Sequence, residues 1–347
     1  MNHKSLFMLY LIAILLIAGC STGNGRYERI EGYAQGGTFH IIYSRPVDVK
    51  SAEVEQRVNN LLAAIDNSLS GYNKGSLLSR FNAGEEIIPD SLFIEAFNRS
   101  KEIWLESSGA FDPSAAPLFD LWGFGFGNRE TVTQDIIDST LLLVGMDLIS
   151  IEGSGDSARV VKEIPGVKLN FNAIAQGYTC DVIARALDDF GCADYLVEVG
   201  REIVCKGLSA RGDKWKIGLD KPLDGNFDEG AHLQEIIPIS DGALVTSGNY
   251  RKFYIENGEK RAHTIDPATG YPVTHNLLSA TVIAFDGATA DAYATWMMVI
   301  GEEMAIELAS QRKDIEVYLV YGEQDSMKVW HTEGFPIYSN ESQKYTE

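Results

Sequence analysis

Basic residues are scarce in this chain. Lys and Arg number 29 against 49 Asp and Glu in 347 residues, a formal charge of −20. Such a chain lacks the basic face that general nucleic-acid binding needs, so nucleic acid is excluded as a partner. A phosphate-bearing ligand is not excluded, because backbone amides and a divalent metal offset the repulsion locally. Cysteine is also sparse. Cys20, Cys180, Cys192 and Cys205 form no CxxC pair and no Cys/His cluster, which argues against a structural zinc site. The last three read as small buried hydrophobes. There is no internal repeat and no low-complexity linker after the N-terminal segment, and no composition shift after Glu28 marks a domain boundary. The apolar run Leu6–Ala18 is too short for a comfortable bilayer span.

That run fits the apolar core of a signal peptide. Lys4 precedes it, and it ends in Ile17-Ala18-Gly19-Cys20. Small residues before a cysteine look like a bacterial lipobox, in which the Cys20 thiol is lipidated and becomes the new N-terminus. The reading is a signal peptide over residues 1–19, a lipidated tether over 20–28 and a single catalytic domain over 29–341. The expected location is the bacterial cell envelope, on a membrane through the lipid anchor and facing the periplasm.

The remainder is 45% hydrophobic and 22% charged, as a globular chain should be. Helical and strand-like patterns are interspersed, so an α+β (mixed α/β) fold is expected, a sheet with flanking helices. Val54, Val58, Leu61, Leu62, Ile65 and Leu69 recur at helical spacing and predict a helix over 52–69. Asp90 can cap a helix through Glu106, and Thr133 another to Leu143. Residues 181–190 read as helical, as do 288–300 and, after Gly301, 302–311. Segments 39–43, 244–247, 252–255 and 317–321 read as strands.

Several stretches carry chemistry. Leu169-Asn170-Phe171-Asn172-Ala173-Ile174-Ala175-Gln176-Gly177-Tyr178 passes through small residues into a helix. The small side chains suit either a pyrophosphate approaching the first-turn N–H groups or close helix–helix packing. In Ala288-Thr289-Ala290-Asp291-Ala292-Tyr293-Ala294-Thr295, Asp291 and Thr295 share a helix face. Two hard oxygens there suit Mg2+; the alternative is a carboxylate favoured by the helix dipole. The turn Leu69-Ser70-Gly71-Tyr72-Asn73, with Ser76 and Ser79-Arg80-Phe81-Asn82, offers hydroxyls, amides and a ring to set against a planar ligand. Ser108-Gly109-Ala110-Phe111-Asp112-Pro113 and Pro117–Gly125 form an aromatic, glycine-rich region, either a packed surface loop or the wall of a flat-ring site. Finally, His263 stands before Thr264-Ile265-Asp266-Pro267-Ala268-Thr269-Gly270-Tyr271-Pro272-Val273. Two prolines and a glycine forbid regular structure, so this is a tight turn or a stiff loop that positions a base.

In this order the blocks resemble the ApbE family, the FAD:protein FMN transferases, from about Gly32 to Gly301. QGGTFHI at 35–41 is similar to the family's MGTxY strand. LSGYN with SRFN, GAFDP with PLFDLWGFG, NFNAIAQGYTCD, YRKF, HTIDPATGYPV and ATADAYAT complete the match. The resemblance implies a single catalytic domain with FAD in a central cleft. It implies transfer of FMN from FAD, through its phosphate, to a Thr or Ser hydroxyl of a target protein, releasing AMP. It implies Mg2+ held by Ala173 (through its carbonyl), Asp291 and Thr295. FAD contacts are implied at Gln35, Tyr72, Ala110, Phe111, Asp112, Asn170, Gln176 and His263, with His263 as general base. The implied acceptor carries a D-G-x-[ST]-G-A-[ST]-like motif on a membrane-associated redox subunit. Gln35, Asn170 and Gln176 stand where the family often has Met, Asp and Lys; the last two together keep local neutrality, a polar variant of the same flavin site. Asp286-Gly287-Ala288-Thr289 partly resembles the acceptor motif but reads better as the lead-in to the metal helix. The alternatives are a Mg2+-dependent FAD pyrophosphatase giving FMN and AMP, and a non-catalytic FAD-binding lipoprotein.

Overall fold

The computed structural model describes residues 26–125, 132–223, 230, 232–250, 253–256, 259–323 and 326–338. The signal segment, Cys20 and most of the expected tether lie outside them. The chain begins with a hairpin, β1 (Arg26–Ala34) and β2 (Gly37–Arg45). Arg26, Tyr27 and Glu28 pair with Arg45, Ser44 and Tyr43. The expected tether boundary at 28 is therefore three residues too late, because these residues alternate into the sheet and do not hang free of it.

α1 (Ser51–Leu69) buries Val54, Val58, Leu62, Ile65 and Leu69, the stripe that its spacing predicts. α2 (Leu77–Asn82) is capped by Ser76, which accepts from the Ser79 N–H. α3 (Ser91–Glu106) is capped by Asp90, whose carboxylate takes the Phe93 N–H at 2.8 Å. α4 (Ala116–Trp122) stops at Gly123, left-handed at φ 77°. α5 (Gln134–Leu141) starts from Thr133 as expected but ends two residues short of Leu143, where three-residue turn bonds replace the helical pattern. A small hairpin follows, β3 (Ile149–Glu152) with β4 (Arg159–Lys162). α6 (Ala175–Asp189) begins earlier than residue 181 and includes Ala175 and Gly177 of the 169–178 stretch.

The main sheet takes in β5 (Tyr195–Val199), β6 (Glu202–Lys206), β9 (Gly242–Gly248), β12 (Leu277–Ala284), β13 (Glu316–Glu323) and β14 (Ser326–His331). Its order is β1-β2-β5-β6-β9-β12-β13-β14, antiparallel throughout. Alternation along the strands divides two cores. Val204, Ala243, Val245, Val317 and Leu319 face the main core with the helices. Ile203, Cys205, Leu244, Tyr318 and Val320 face a second core, covered by the hairpin β7 (Trp215–Asp220) and β8 (Leu233–Ile239). A further hairpin, β10 (Phe253–Glu256) and β11 (Glu259–Ala262), leads into His263. The last helix, α7 (Gly287–Gln311), is interrupted at Gly301 (φ 81°, ψ 176°), where the sequence predicts a break. Cys180, Cys192 and Cys205 are buried, as expected of small hydrophobes, and no disulfide joins them, a question the sequence leaves open.

α6 and α7 lie side by side over the sheet, and their spacing is set by two glycines. A methyl group on Gly177 would fall 2.1 Å from the Gly287 carbonyl oxygen, and one on Gly287 would fall 2.3 Å from that of Gly177. Alanine is normally favoured over glycine inside a helix by roughly 1 kcal/mol. Here the sign reverses: Gly177→Ala should destabilise by about 3 kcal/mol, the upper end of overpacking costs. Denaturant unfolding measures this, and a stabilised variant would show that the helices can separate freely.

Candidate active site

α6 and α7 are braced in both directions. The Gly177 N–H, one of the donors that the first turn of α6 leaves without a helical partner, donates to Asp291 Oδ2 at 3.1 Å. Asp181 on α6 answers by accepting the Gly287 and Ala288 N–H groups at the start of α7, at 2.7 and 2.9 Å. Burial pushes both carboxyls up to about 7, against the pull of these N–H bonds, and the charge of Asp181 raises Asp291 further. These contacts bear out the close-packing reading of the 169–178 stretch. Gly177 meets Gly287 in close helix packing, and the Gly177 and Ala175 N–H groups are spent on Asp291 and on the Phe171 carbonyl.

Asp291 is 4% exposed, and among the described residues no Lys, Arg or His pairs with it. A buried carboxylate without a cation is costly in its charged form. One turn along the same helix, Thr295 Oγ1 lies 3.4 Å from Ser247 Oγ of β9. Ala173 precedes the first helical bond of α6, from the Tyr178 N–H to the Ile174 carbonyl. No group of three or more His, Cys, Asp or Glu that could hold a metal occurs among the described residues. One carboxylate, a hydroxyl and a backbone carbonyl nevertheless fit Mg2+, which binds through few protein oxygens and keeps several waters or phosphate oxygens.

The loop after His263 is a closed hairpin. Val273 N–H donates to the Thr264 carbonyl, Asp266 N–H to that of Tyr271 and Gly270 N–H to that of Asp266. Gly270 sits at φ 76°, where a methyl group would lie 2.7 Å from Ile137 Cγ2 of α5. Trp122 Nε1 donates to the Gly270 carbonyl at 2.7 Å, and Tyr271 Oη to Gln134 Oε1 at 2.6 Å. Ile265 joins Leu118, Leu121, Trp122 and Ile137 in a small separate core. The aromatic, glycine-rich region therefore clamps this loop, and the Phe124 ring lies 6.4 Å from that of His263, edge to face. On the other side, Thr264 Oγ1 donates to Asn249 Oδ1 at 2.6 Å. Asn249 follows directly on β9, two residues past Ser247. One strand end thus connects the His263 loop with Thr295.

The remaining site residues fall into two groups. Asn82 holds Leu169 through both backbone groups at 2.8 Å, and the Asn170 N–H donates to the Pro113 carbonyl at 2.8 Å. The Tyr72 turn joins this group through Ser79, whose hydroxyl donates to the Ser70 carbonyl; Tyr72 itself is 67% exposed. Asn170 is buried and accepts the Asn172 N–H. Ala110 is half-buried, whereas the Phe111 ring is buried in the main core. A Phe111 contact to a ligand is accordingly limited to its backbone. In the second group, Gln35 Nε2 donates to Thr179 Oγ1 of α6 at 2.6 Å, and the Gln176 amide lies against Gly200. Thr289 is buried, with its hydroxyl on Asp286 and Arg99. Asp286 caps α7 through the Thr289 N–H, which bears out the reading of this segment as a helix lead-in. Sequence reasoning missed Asp181 and Asn249, whose partners lie far along the chain or in another strand.

Asp112 caps a short 3-10 turn and accepts from the Ser114 N–H at 2.7 Å and from Trp104 Nε1 at 2.9 Å. Burial pushes its carboxyl from 3.8 up to about 6, with the Ser114 and Trp104 bonds opposing. Between these values the folded chain holds a proton that the unfolded chain releases, so stability falls as pH rises through this window. At roughly 1.4 kcal/mol per pH unit, the full effect is about 3 kcal/mol, complete above pH 6. Asp112→Asn should flatten the stability profile between pH 4 and 6 in denaturant titrations. An unchanged slope would show that this carboxyl titrates normally.

Comparisons with known proteins show the family. Residues 36–319 match the model of the ApbE family. A FAD:protein FMN transferase of Escherichia coli K12 is 32% identical over 338 residues, covering 94% of this chain and 95% of its own. That of Vibrio cholerae O395 is 33% identical, covering 95% and 97%. Among solved structures, the flavin transferase ApbE from Vibrio cholerae superposes with a TM-score of 0.77 at 31% identity, over 89% of this chain and 98% of that one. The apo flavinyl transferase ApbE of Pseudomonas stutzeri gives 0.79 at 30% identity, over 90% and 97%. The chain belongs to the ApbE family.

Proposed function

We propose that this protein moves the FMN half of FAD onto a hydroxyl of a target protein and releases AMP. The observation that carries this reading is the buried Asp291, unpaired with any cation among the described residues, on a helix whose Thr295 meets the same strand end that anchors the His263 loop. Asp291, Thr295 and the Ala173 carbonyl would hold Mg2+, which when bound neutralises charge on the pyrophosphate. FAD would occupy the cleft bounded by the start of α6, the Tyr72 turn, residues 110–112 and the His263 loop. His263 takes the proton of the acceptor Thr or Ser hydroxyl on a ring nitrogen. The hydroxyl oxygen bonds the FMN phosphorus as the bond from that phosphorus to the bridging oxygen breaks, leaving AMP. The clamped loop keeps the imidazole in one place, and positioning is most of what phosphoryl-type transfer asks of a protein.

Purified protein incubated with FAD, Mg2+ and a protein bearing D-G-x-T-G-A-T should yield a fluorescent flavin band that survives denaturing electrophoresis. FMN and AMP without that band would make the protein a pyrophosphatase, and intact FAD would make it a binding protein. Asp291→Ala should remove the Mg2+-dependent activity. His263→Ala should bind FAD within a few-fold of wild type yet transfer about 10²–10⁴-fold more slowly in a single turnover. Complete rescue by saturating FAD would reject the base role.

The lipobox reading places the protein at the periplasmic face of a membrane. No helix among the described residues is long and apolar enough to cross one, and the attachment proposed is the Cys20 lipid. Cys20→Ala should leave the protein unprocessed or unanchored on fractionation. Unchanged membrane association that still requires detergent would argue for another anchor.

A further inference from the structure

Three hydroxyls inside the helices turn back on their own backbone. Thr140, Thr179 and Ser310 each donate to the carbonyl four residues earlier, at 2.7, 2.6 and 2.7 Å, the usual resort of a hydroxyl within a helix. Thr295 does not. Among the described residues its one side-chain hydrogen bond is with Ser247 Oγ of β9, 3.4 Å away, and either oxygen can be the donor. Ser247 is equally committed. It pairs across the sheet with Ala280, which offers its hydroxyl nothing, and Thr295 is its one side-chain partner among the described residues. Along β9, Ala243 and Val245 pack into the main core, and Ser247 is the next residue on that face. The stripe therefore turns polar at the level where α7 carries Thr295. The neighbouring Thr246 faces the other way and meets Thr281 Oγ1 at 2.9 Å.

The contact gives the Thr295 hydroxyl a direction. A hydroxyl has one proton and two lone pairs. When a lone pair is shared with a cation, the proton needs an acceptor on another side, and a partner of this kind orients the ligand and tunes its affinity. Ser247 Oγ is the acceptor within reach of Thr295. We propose that Ser247 is a positioning residue, which takes the Thr295 proton and so keeps a Thr295 lone pair available to Mg2+. Without Ser247 the hydroxyl falls back on the pattern of Thr140, Thr179 and Ser310 and donates to the carbonyl of Asp291, four residues earlier. The proposal rests on the reading of Asp291, Thr295 and the Ala173 carbonyl as a Mg2+ site. It adds a residue that acts through Thr295 and not on the metal itself.

The test is metal binding, read without turnover. Mn2+ stands in for Mg2+ and is titrated into the full chain, with and without FAD, while the free ion is followed by electron paramagnetic resonance. Ser247→Ala should bind Mn2+ about 10–100-fold more weakly, the usual cost of removing a partner that orients a metal ligand. Ser247→Thr, which keeps the hydroxyl, should stay within a few-fold of wild type. Thr246→Ala, which removes the hydroxyl on the opposite face of the same strand, should leave the affinity unchanged. The deciding comparison is made in Thr295→Val, which has no hydroxyl to orient: there Ser247→Ala should cost nothing further. An undiminished affinity in Ser247→Ala would overturn the proposal. So would the same loss in Thr246→Ala, which marks a weakened strand, or a full further loss in the Thr295→Val background, which marks a role independent of Thr295. A wild-type protein that binds no Mn2+ in either condition would instead overturn the metal reading of Asp291 and Thr295, and this proposal with it.

Discussion

The contact between Gly177 and Gly287 is the constraint on which the rest of the site depends. Two helix starts meet there backbone to backbone, at a distance that no side chain allows. Only at that distance can Asp291 on α7 reach the Gly177 N–H of α6 while Asp181 on α6 reaches the first N–H groups of α7. Each carboxylate satisfies donors that the other helix would otherwise leave unpaired on burial. The brace is reciprocal, so the relative height of the two helices is fixed as well as their separation. Ala173, one turn before Gly177, and Thr295, one turn past Asp291, inherit their positions from it.

The same brace concentrates negative charge where water is excluded. Burial raises both carboxyls toward neutrality, and the helix-start N–H groups only partly oppose it. Such a site is unfavourable when empty and ionised, and for that reason receptive to a small hard cation. On the proposed reading, the closeness of the helices and a place for a divalent ion both follow from one glycine pair. Asp112 shows the related case of a buried carboxyl that is satisfied locally, by Ser114 and Trp104, and that orders the segment leading to Asn170.

Much of the local structure was legible in the sequence because its causes are local. The α1 stripe follows from 3.6-residue periodicity, Asp90 and Thr133 are caps with a mechanism, and Gly301 breaks α7 as a residue at φ 81° must. The small residues before α6 were ambiguous because their partner, Gly287, lies 110 residues away in the chain; spacing within the stretch says that something comes close, not what. The aromatic, glycine-rich region around Phe111 read equally as a packed loop or a ring wall, and the Phe111 side chain belongs to the core, since an aromatic near a glycine reads the same in either role. Asp181 and Asn249 were missed for a related reason. Each acts on residues that only the folded sheet brings near, and an Asp or Asn in isolation carries no sign of it.

The stiff loop and the cation-receptive helix are joined by the sheet. β9 reaches both: Ser247 meets Thr295, and two residues on Asn249 holds Thr264 beside His263. The loop cannot drift from that strand end because Trp122 and Ile137 hold Gly270 from the far side. The His263 loop and the helix that carries Asp291 and Thr295, given separate tasks in the proposed reaction, are therefore referred to a single strand end. Placing reacting groups relative to one another in advance removes the entropy of finding that geometry from each turnover. On this account the prolines and the glycine after His263 do for the proposed base what the glycine pair does for the proposed metal ligand: they remove alternatives, and the sheet makes the two choices consistent.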